Sequence, residues 1–195
     1  RFLISLLSMS LIFSQEMWIN EIHYDNYGTD EGEFIEVAIS SDISNLSSIT
    51  VSLYNGNNGS VYNSVSLSDF AVGSTSEGFT FYYYDFPANG IQNGGSDGIA
   101  LDDDGSLIQF LSYEGTLTAF AGVANGVTST DIGVSQPSDI GTSLQLQGIG
   151  TTYSAFSWVG PIGATKGDVN TDQILGNSGT ITGCTDSDAV NYNPA

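Results

Sequence analysis

Basic residues are nearly absent from this chain: Lys and Arg together number 2 against 22 Asp and Glu, for a formal net charge of −20 at pH 7. Affinity for nucleic acid depends on Lys and Arg displacing counterions from phosphates, so a surface of this sign repels DNA, RNA and anionic lipid. Direct nucleic-acid binding by this chain is therefore not expected. Histidine and cysteine each occur once. One His without ligand-spaced Cys leaves a zinc site short of donors. The lone Cys184 has no partner for an internal disulfide, and in an exported protein an odd Cys points to a partner elsewhere. No apolar run reaches the roughly 20 residues of a membrane-spanning helix. Nor does any window of helical length keep an i, i+3, i+4 apolar stripe, which argues against amphipathic helices.

What is present begins with Phe2–Phe13 (FLISLLSMSLIF), an apolar run of signal-peptide length. Arg1 supplies a positive start, and Ser14 before Gln15 is a small residue suited to cleavage. Residues 1–14 therefore read as a signal peptide, and the protein as secreted or displayed on a cell surface. Apolar residues make up 40 % of the chain, enough to bury a core. Many Asp, Asn, Ser, Thr and Gly with little Lys suit a salty or calcium-rich extracellular medium.

Beyond the leader, short runs alternate with period two, the signature of half-buried strands. In Ile49–Tyr54 (ITVSLY), Ile49, Val51 and Leu53 share one face; in Val61–Leu67 (VYNSVSL), Val61, Val65 and Leu67 do. Between them, Asn55-Gly56-Asn57-Asn58-Gly59 tolerates positive φ and predicts a hairpin. Further strands are predicted over Met17–Tyr24, Glu33–Ile39, Phe79–Tyr84, Gly98–Leu101, Leu107–Tyr113, Ser143–Gln147 and Phe156–Val159. Many short strands with turn signals between them imply an all-β sandwich or barrel. Ala119–Ile140, rich in Gly, Ser and Thr, reads as a long surface connection, and Leu175–Gly183 as a linker.

Four clusters are candidate sites. His23 has Glu21, Asp25, Asp30 and Glu33 near it in sequence. A regular strand puts Ile19, Glu21 and His23 on one face and Trp18, Asn20, Ile22 and Tyr24 on the other. His beside carboxylates suits metal binding or general-base chemistry, or simply hydrogen bonding at a strand edge. No G-x-S-x-G elbow supplies a serine nucleophile. Asp102, Asp103 and Asp104 precede Gly105 as a hairpin turn, either alone or with a Ca²⁺ that relieves their mutual repulsion. Asp168, Asn170 and Asp172 open like a calcium loop, but Gln173 stands where that loop needs Gly and no closing Glu follows. In the aromatic run, alternation places Phe79, Phe81 and Tyr83 inward. Tyr82 and Tyr84 then face outward, as a binding platform for sugars or as packing against another domain. The glycines of NGNNG and GSDG precede no helix, so they predict no phosphate cradle.

Trp18–Ala38 (WINEIHYDNYGTDEGEFIEVA) resembles the opening of bacterial lamin-tail domains, and Val51–Ser68 (VSLYNGNNGSVYNSVSLS) their central hairpin. Asn89–Gly115, Ser143–Trp158 and Gly167–Gln173 are similar to the family's later blocks, in the same order. The resemblance covers about Met17 to Ile174. It implies a compact Ig-like β-sandwich without catalytic machinery, an accessory unit of a larger exported protein. The tail GCTDSDAVNYNPA resembles the start of a Cys-containing repeat of bacterial surface proteins, whose second Cys follows the NYNP portion; that implies a distant partner for Cys184. The resulting expectation is a non-enzymatic extracellular structural or binding module. Its partners would be other domains of the same polypeptide and a surface glycan or protein ligand. The second reading is the N-terminal accessory domain of a secreted hydrolase such as an extracellular nuclease; the third is an enzyme carried by His23.

Overall fold

Apolar residues at alternate positions, interrupted by turn formers, produce two packed sheets in the computed structural model, which describes residues 17–176. The predicted signal peptide, most of the linker, Cys184 and the repeat-like tail lie outside the described residues. In chain order the strands are β1 (Met17–His23), β2 (Phe34–Ser40), β3 (Ile49–Asn55), β4 (Ser60–Ser66), β5 (Ala71–Ser76) and β6 (Phe79–Asp85). They continue with β7 (Gly98–Asp103), β8 (Ser106–Ser112), β9 (Thr130–Asp131), β10 (Thr142–Gly150), β11 (Phe156–Gly163) and β12 (Gln173–Leu175). The larger sheet runs β11-β10-β1-β2-β6-β5, with β12 added in parallel to β10; the smaller runs β4-β3-β7-β8-β9. This is a β-sandwich. Among the described residues no helix is long and apolar enough to cross a membrane.

The central core lies between the sheets. Ile19, Ile22, Ile35 and Val37 from the large sheet meet Val51, Leu53, Leu101 and Leu111 from the small one. Two turns follow from local chemistry. Asn55–Gly59 closes the β3–β4 hairpin, as predicted, with Gly59 at φ 65°. Asp104 and Gly105, at φ 48° and 75°, form the tight loop joining β7 to β8, which Asp-Gly accepts readily.

The faces of β1 differ from the sequence expectation. Ile19 opposes Val37 and Glu21 opposes Glu36, so Asn20 is an extra residue in a bulge. One extra residue reverses the parity of everything after it. Met17, Ile19, Ile22 and Tyr24 consequently all join the central core, while Trp18 packs in a second cluster.

That second cluster covers the other face of the large sheet. Trp18, Ala38 and Phe81 are neighbours across β1, β2 and β6, and they pack with Phe79, Phe156 and Leu175. The phase predicted for β6 is therefore corrected: Phe79 and Phe81 face this outer layer. Tyr82 and Tyr84, opposite Val37 and Ile35, are half-buried against the central core and do not form an outward platform. Both faces of this sheet are covered, so hydrophobicity alone does not mark the inner one.

Residues 119–140 also depart from the surface connection expected of them. Ala119 and Ala124 pack with Tyr54, Ala100 and Phe110 on the outer face of the small sheet, and Thr130–Asp131 adds β9 in parallel to β8. Strand β5 was not predicted because AVGSTS is polar and broken by glycine. At Gly73 a Cβ would fall 2.3 Å from the Gly167 carbonyl, so the segment that follows β11 lies directly against this edge.

Because Trp18 is fully buried on the outer face, Trp18→Ala should destabilise the protein by about 3–5 kcal/mol, the cost of emptying an aromatic core position. Chemical denaturation measures it. A loss below about 1 kcal/mol would mean that the outer layer is not a core.

Candidate functional site

His23 has a carboxamide nitrogen against each ring nitrogen, and a neutral imidazole, with its single acceptor nitrogen, takes a hydrogen bond from only one of them. Gln136 Nε2 lies 2.7 Å from Nδ1, and Asn26 Nδ2 lies 2.9 Å from Nε2. The Gln136 carbonyl oxygen is committed to the Tyr24 and Asp25 backbone N–H groups at 2.7 and 3.2 Å, so its amide nitrogen must face the ring. Burial lowers the His23 pKa, opposed by the Asn26 hydrogen bond, the Glu31 backbone and the Asp30 and Asp25 charges. The neutral ring, 1 % exposed and stacked near Phe34, fastens the β1 terminus to the 136–138 segment. Glu21 and Glu33, expected near it, serve elsewhere.

Glu21 and Glu36 face each other across β1 and β2 on the outer layer. The chain after β11 crosses above them as a strap. Glu21 accepts from Ser143 Oγ at 2.5 Å, from the Thr165 N–H at 2.8 Å and from Thr165 Oγ1 at 2.9 Å. Glu36 accepts from Asn20 Nδ2 at 2.9 Å and from the Gly167 N–H at 2.5 Å. Burial raises both pKa values, and for Glu36 the charge of Glu21 adds to the rise. Among the described residues neither carboxylate meets a cation. The only Lys of the chain, Lys166, instead bonds Asp85 at 2.7 Å and lies over the Phe34 and Tyr83 rings. Beside it a groove of about 650 Å³ runs between Phe34, Ile140, Thr142 and Val169.

The predicted calcium residues disperse. Asp102 accepts from the Gly105 N–H at 3.1 Å, closing its own turn, whereas Asp103 accepts from Ser48 Oγ at 2.6 Å and Asp104 is exposed. In the strap, Asp168 accepts from Ser74 Oγ, and Asp172 is exposed at φ 56°. Asn170 is 3 % exposed and donates to the Asn20 and Leu146 carbonyls at 2.9 and 3.1 Å. It is a cross-link between β1 and β10, where the calcium-loop reading had placed a ligand. Among the described residues no three His, Cys, Asp or Glu side chains converge as a metal site.

The functional-looking residues that sequence reasoning passed over are carboxamides. Gln109, Gln136, Gln145 and Gln173 are all buried and bridge segments far apart in the chain. Their one sequence signal is position: Gln109 and Gln145 sit at the centre of predicted strands. No family model, curated protein or solved structure matches the chain.

A raised Glu36 pKa means that the folded chain holds this proton more tightly than the unfolded one, whose value is 4.5. The stability involved is complete below pH 4.5 and is lost as pH rises through the folded value. His23 runs the other way: its support is complete above pH 6.5 and is lost as pH falls through its lowered value. The Tm of the wild type should therefore fall relative to that of Glu36→Gln as pH rises from 4.5 through the raised folded value. Parallel profiles would exclude Glu36 as a source. Asn170→Ala, which strands two buried carbonyls, should cost about 2–4 kcal/mol. Asp168→Ala and Asp172→Ala should each cost under about 1 kcal/mol. Urea titrations of the three variants in the presence and absence of Ca²⁺ would reverse this ranking if the strap were a calcium loop.

Proposed function

We propose that this chain is a non-enzymatic structural and binding module of a larger exported bacterial protein, of the lamin-tail type. The observation that carries the proposal is the setting of His23. The one imidazole of the chain has a carboxamide of its own fold packed against each nitrogen, with burial disfavouring its charged form. A general base needs a free nitrogen within reach of a substrate proton. The buried carboxylates Glu21, Glu33 and Glu36 likewise spend their oxygens on backbone and side-chain donors of the fold. Export rests on the apolar run Phe2–Phe13 behind Arg1. The ordered blocks of resemblance between Met17 and Ile174 supply the lamin-tail assignment.

The test is a comparison of wild type with His23→Ala and the more conservative His23→Gln. His23→Ala should lose about 2 kcal/mol of stability, since a buried ring is removed and one amide N–H loses its acceptor while the amides keep their bonds to Ser138. Neither wild type nor variant should hydrolyse nuclease, esterase or glycosidase substrates. A hydrolytic activity of the wild type that disappears in a folded His23→Gln protein would overturn the reading.

A further inference from the structure

At one end of the sandwich, three connections meet around a pocket of about 320 Å³: β1–β2, the β3–β4 hairpin and β6–β7. Its lining is dominated by carboxamides: Asn55, Asn57, Asn89, Gln92 and Asn93. Residues 86–97 are glycine-rich and hold no strand or helix, a kind of segment that is ordinarily mobile. Here it is fastened at nearly every step. Glu33 accepts from the Gly90 and Ile91 N–H groups at 2.7 and 2.9 Å. Gln92 donates its N–H to Tyr62 Oη at 2.9 Å, and its carbonyl accepts from the Tyr113 hydroxyl. Asn93 Nδ2 donates to Asp25 and Asp30 at 3.0 and 2.9 Å. Such a loop presents its side chains without the ordering cost that binding otherwise incurs.

The lining chemistry selects the occupant. Asp30 and Asp97 reach the pocket, but each spends both carboxylate oxygens inside the protein. Asp30 accepts from the Asn26 N–H and Asn93 Nδ2, and Asp97 from the Gly56 and Gly94 N–H groups. A divalent cation takes roughly six or more oxygen ligands, among them carboxylates that supply the charge, and both carboxylates here are already engaged by N–H donors. An anion is turned away by the −20 charge of the chain. The side-chain amides of Asn57 and Gln92, by contrast, are not used by the fold, which bonds only the backbone of these residues. Each amide both donates and accepts, which matches the hydroxyls of a neutral polyol. Buried Ile91 adds an apolar patch to the lining. The volume lies at the small end of ligand pockets, roughly 300–1,000 Å³, which suits a terminal residue rather than the length of a polysaccharide.

We infer that this loop-end pocket binds the terminal sugar of a neutral glycan, with Asn57 and Gln92 as its principal hydrogen-bonding residues. The inference deepens the reading of the chain as a binding module. That reading's own test concerns His23 and hydrolysis, so failure here leaves it standing.

The experiment is a glycan array probed with the full chain in EDTA, followed by saturation-transfer NMR with the retained neutral disaccharides and with uronic-acid counterparts. Neutral glycans should be retained in EDTA and the acidic ones not. Asn57→Ala and Gln92→Ala should each weaken binding about tenfold, one lost hydrogen bond apiece, with Tm unchanged because both side chains are free of the fold. Lys166→Ala, at the other groove, should leave binding unchanged. Three results would overturn the inference: no neutral glycan retained, retention that requires Ca²⁺, or retention lost with Lys166→Ala and kept in Asn57→Ala and Gln92→Ala.

Discussion

The extra residue that Asn20 inserts into the central strand of the large sheet determines what the rest of the outer layer must do. Before the bulge, Trp18 faces outward and Ile19 inward; after it, Glu21 faces outward and Ile22 inward. The bulge thus keeps three apolar side chains of one strand, and Tyr24 just beyond it, in the core and places a carboxylate, opposite a second one, on the other face. Two like charges at cross-strand distance repel each other, which with burial favours a proton on Glu36. Their burial is tolerated because the strap, together with Asn20 and Ser143, lays N–H and O–H groups over them. The strap in turn closes over the apolar cluster around Trp18 and borders the β5 edge at Gly73.

A chain with so few cations has to satisfy its buried carboxylates without salt bridges. It does so with neutral donors. Glu33 caps two backbone N–H groups of the β6–β7 connection, Asp97 ties that connection to the β3–β4 hairpin, and Glu21 and Glu36 hold the strap. Buried carboxamides complete the arrangement, with Asn170 joining β1 to β10 and Gln136 joining β1 to the 136–138 segment. Uncompensated polar burial is costly, and a hydrogen bond to an ionised acceptor is among the stronger available remedies. The same economy leaves the two concave sites chemically distinct. The groove beside Lys166 has the one Lys of the chain and an apolar wall, whereas the loop-end pocket has amides free of the fold.

The sequence by itself determined the fold class and nine of the twelve described strands, with β5, β9 and β12 added by the structure. Period-two alternation in ITVSLY and VYNSVSL, Asn-Gly and Asp-Gly turns, and the absence of a helical stripe are local properties, and the nine predicted strands are all present in a two-sheet sandwich. Only the tertiary structure decided which face of each strand is inner. In β1 a single bulged residue reversed the parity, and in β6 the second covered face made Phe81 and Tyr82 equally compatible with either side. Site roles were likewise out of reach, because His23, Gln136 and Asn26, or Glu33 and Ile91, meet only after distant loops converge. A carboxylate or amide in sequence states what it can bond. Which donor it faces, and whether anything is left over for a ligand, is fixed by long-range packing.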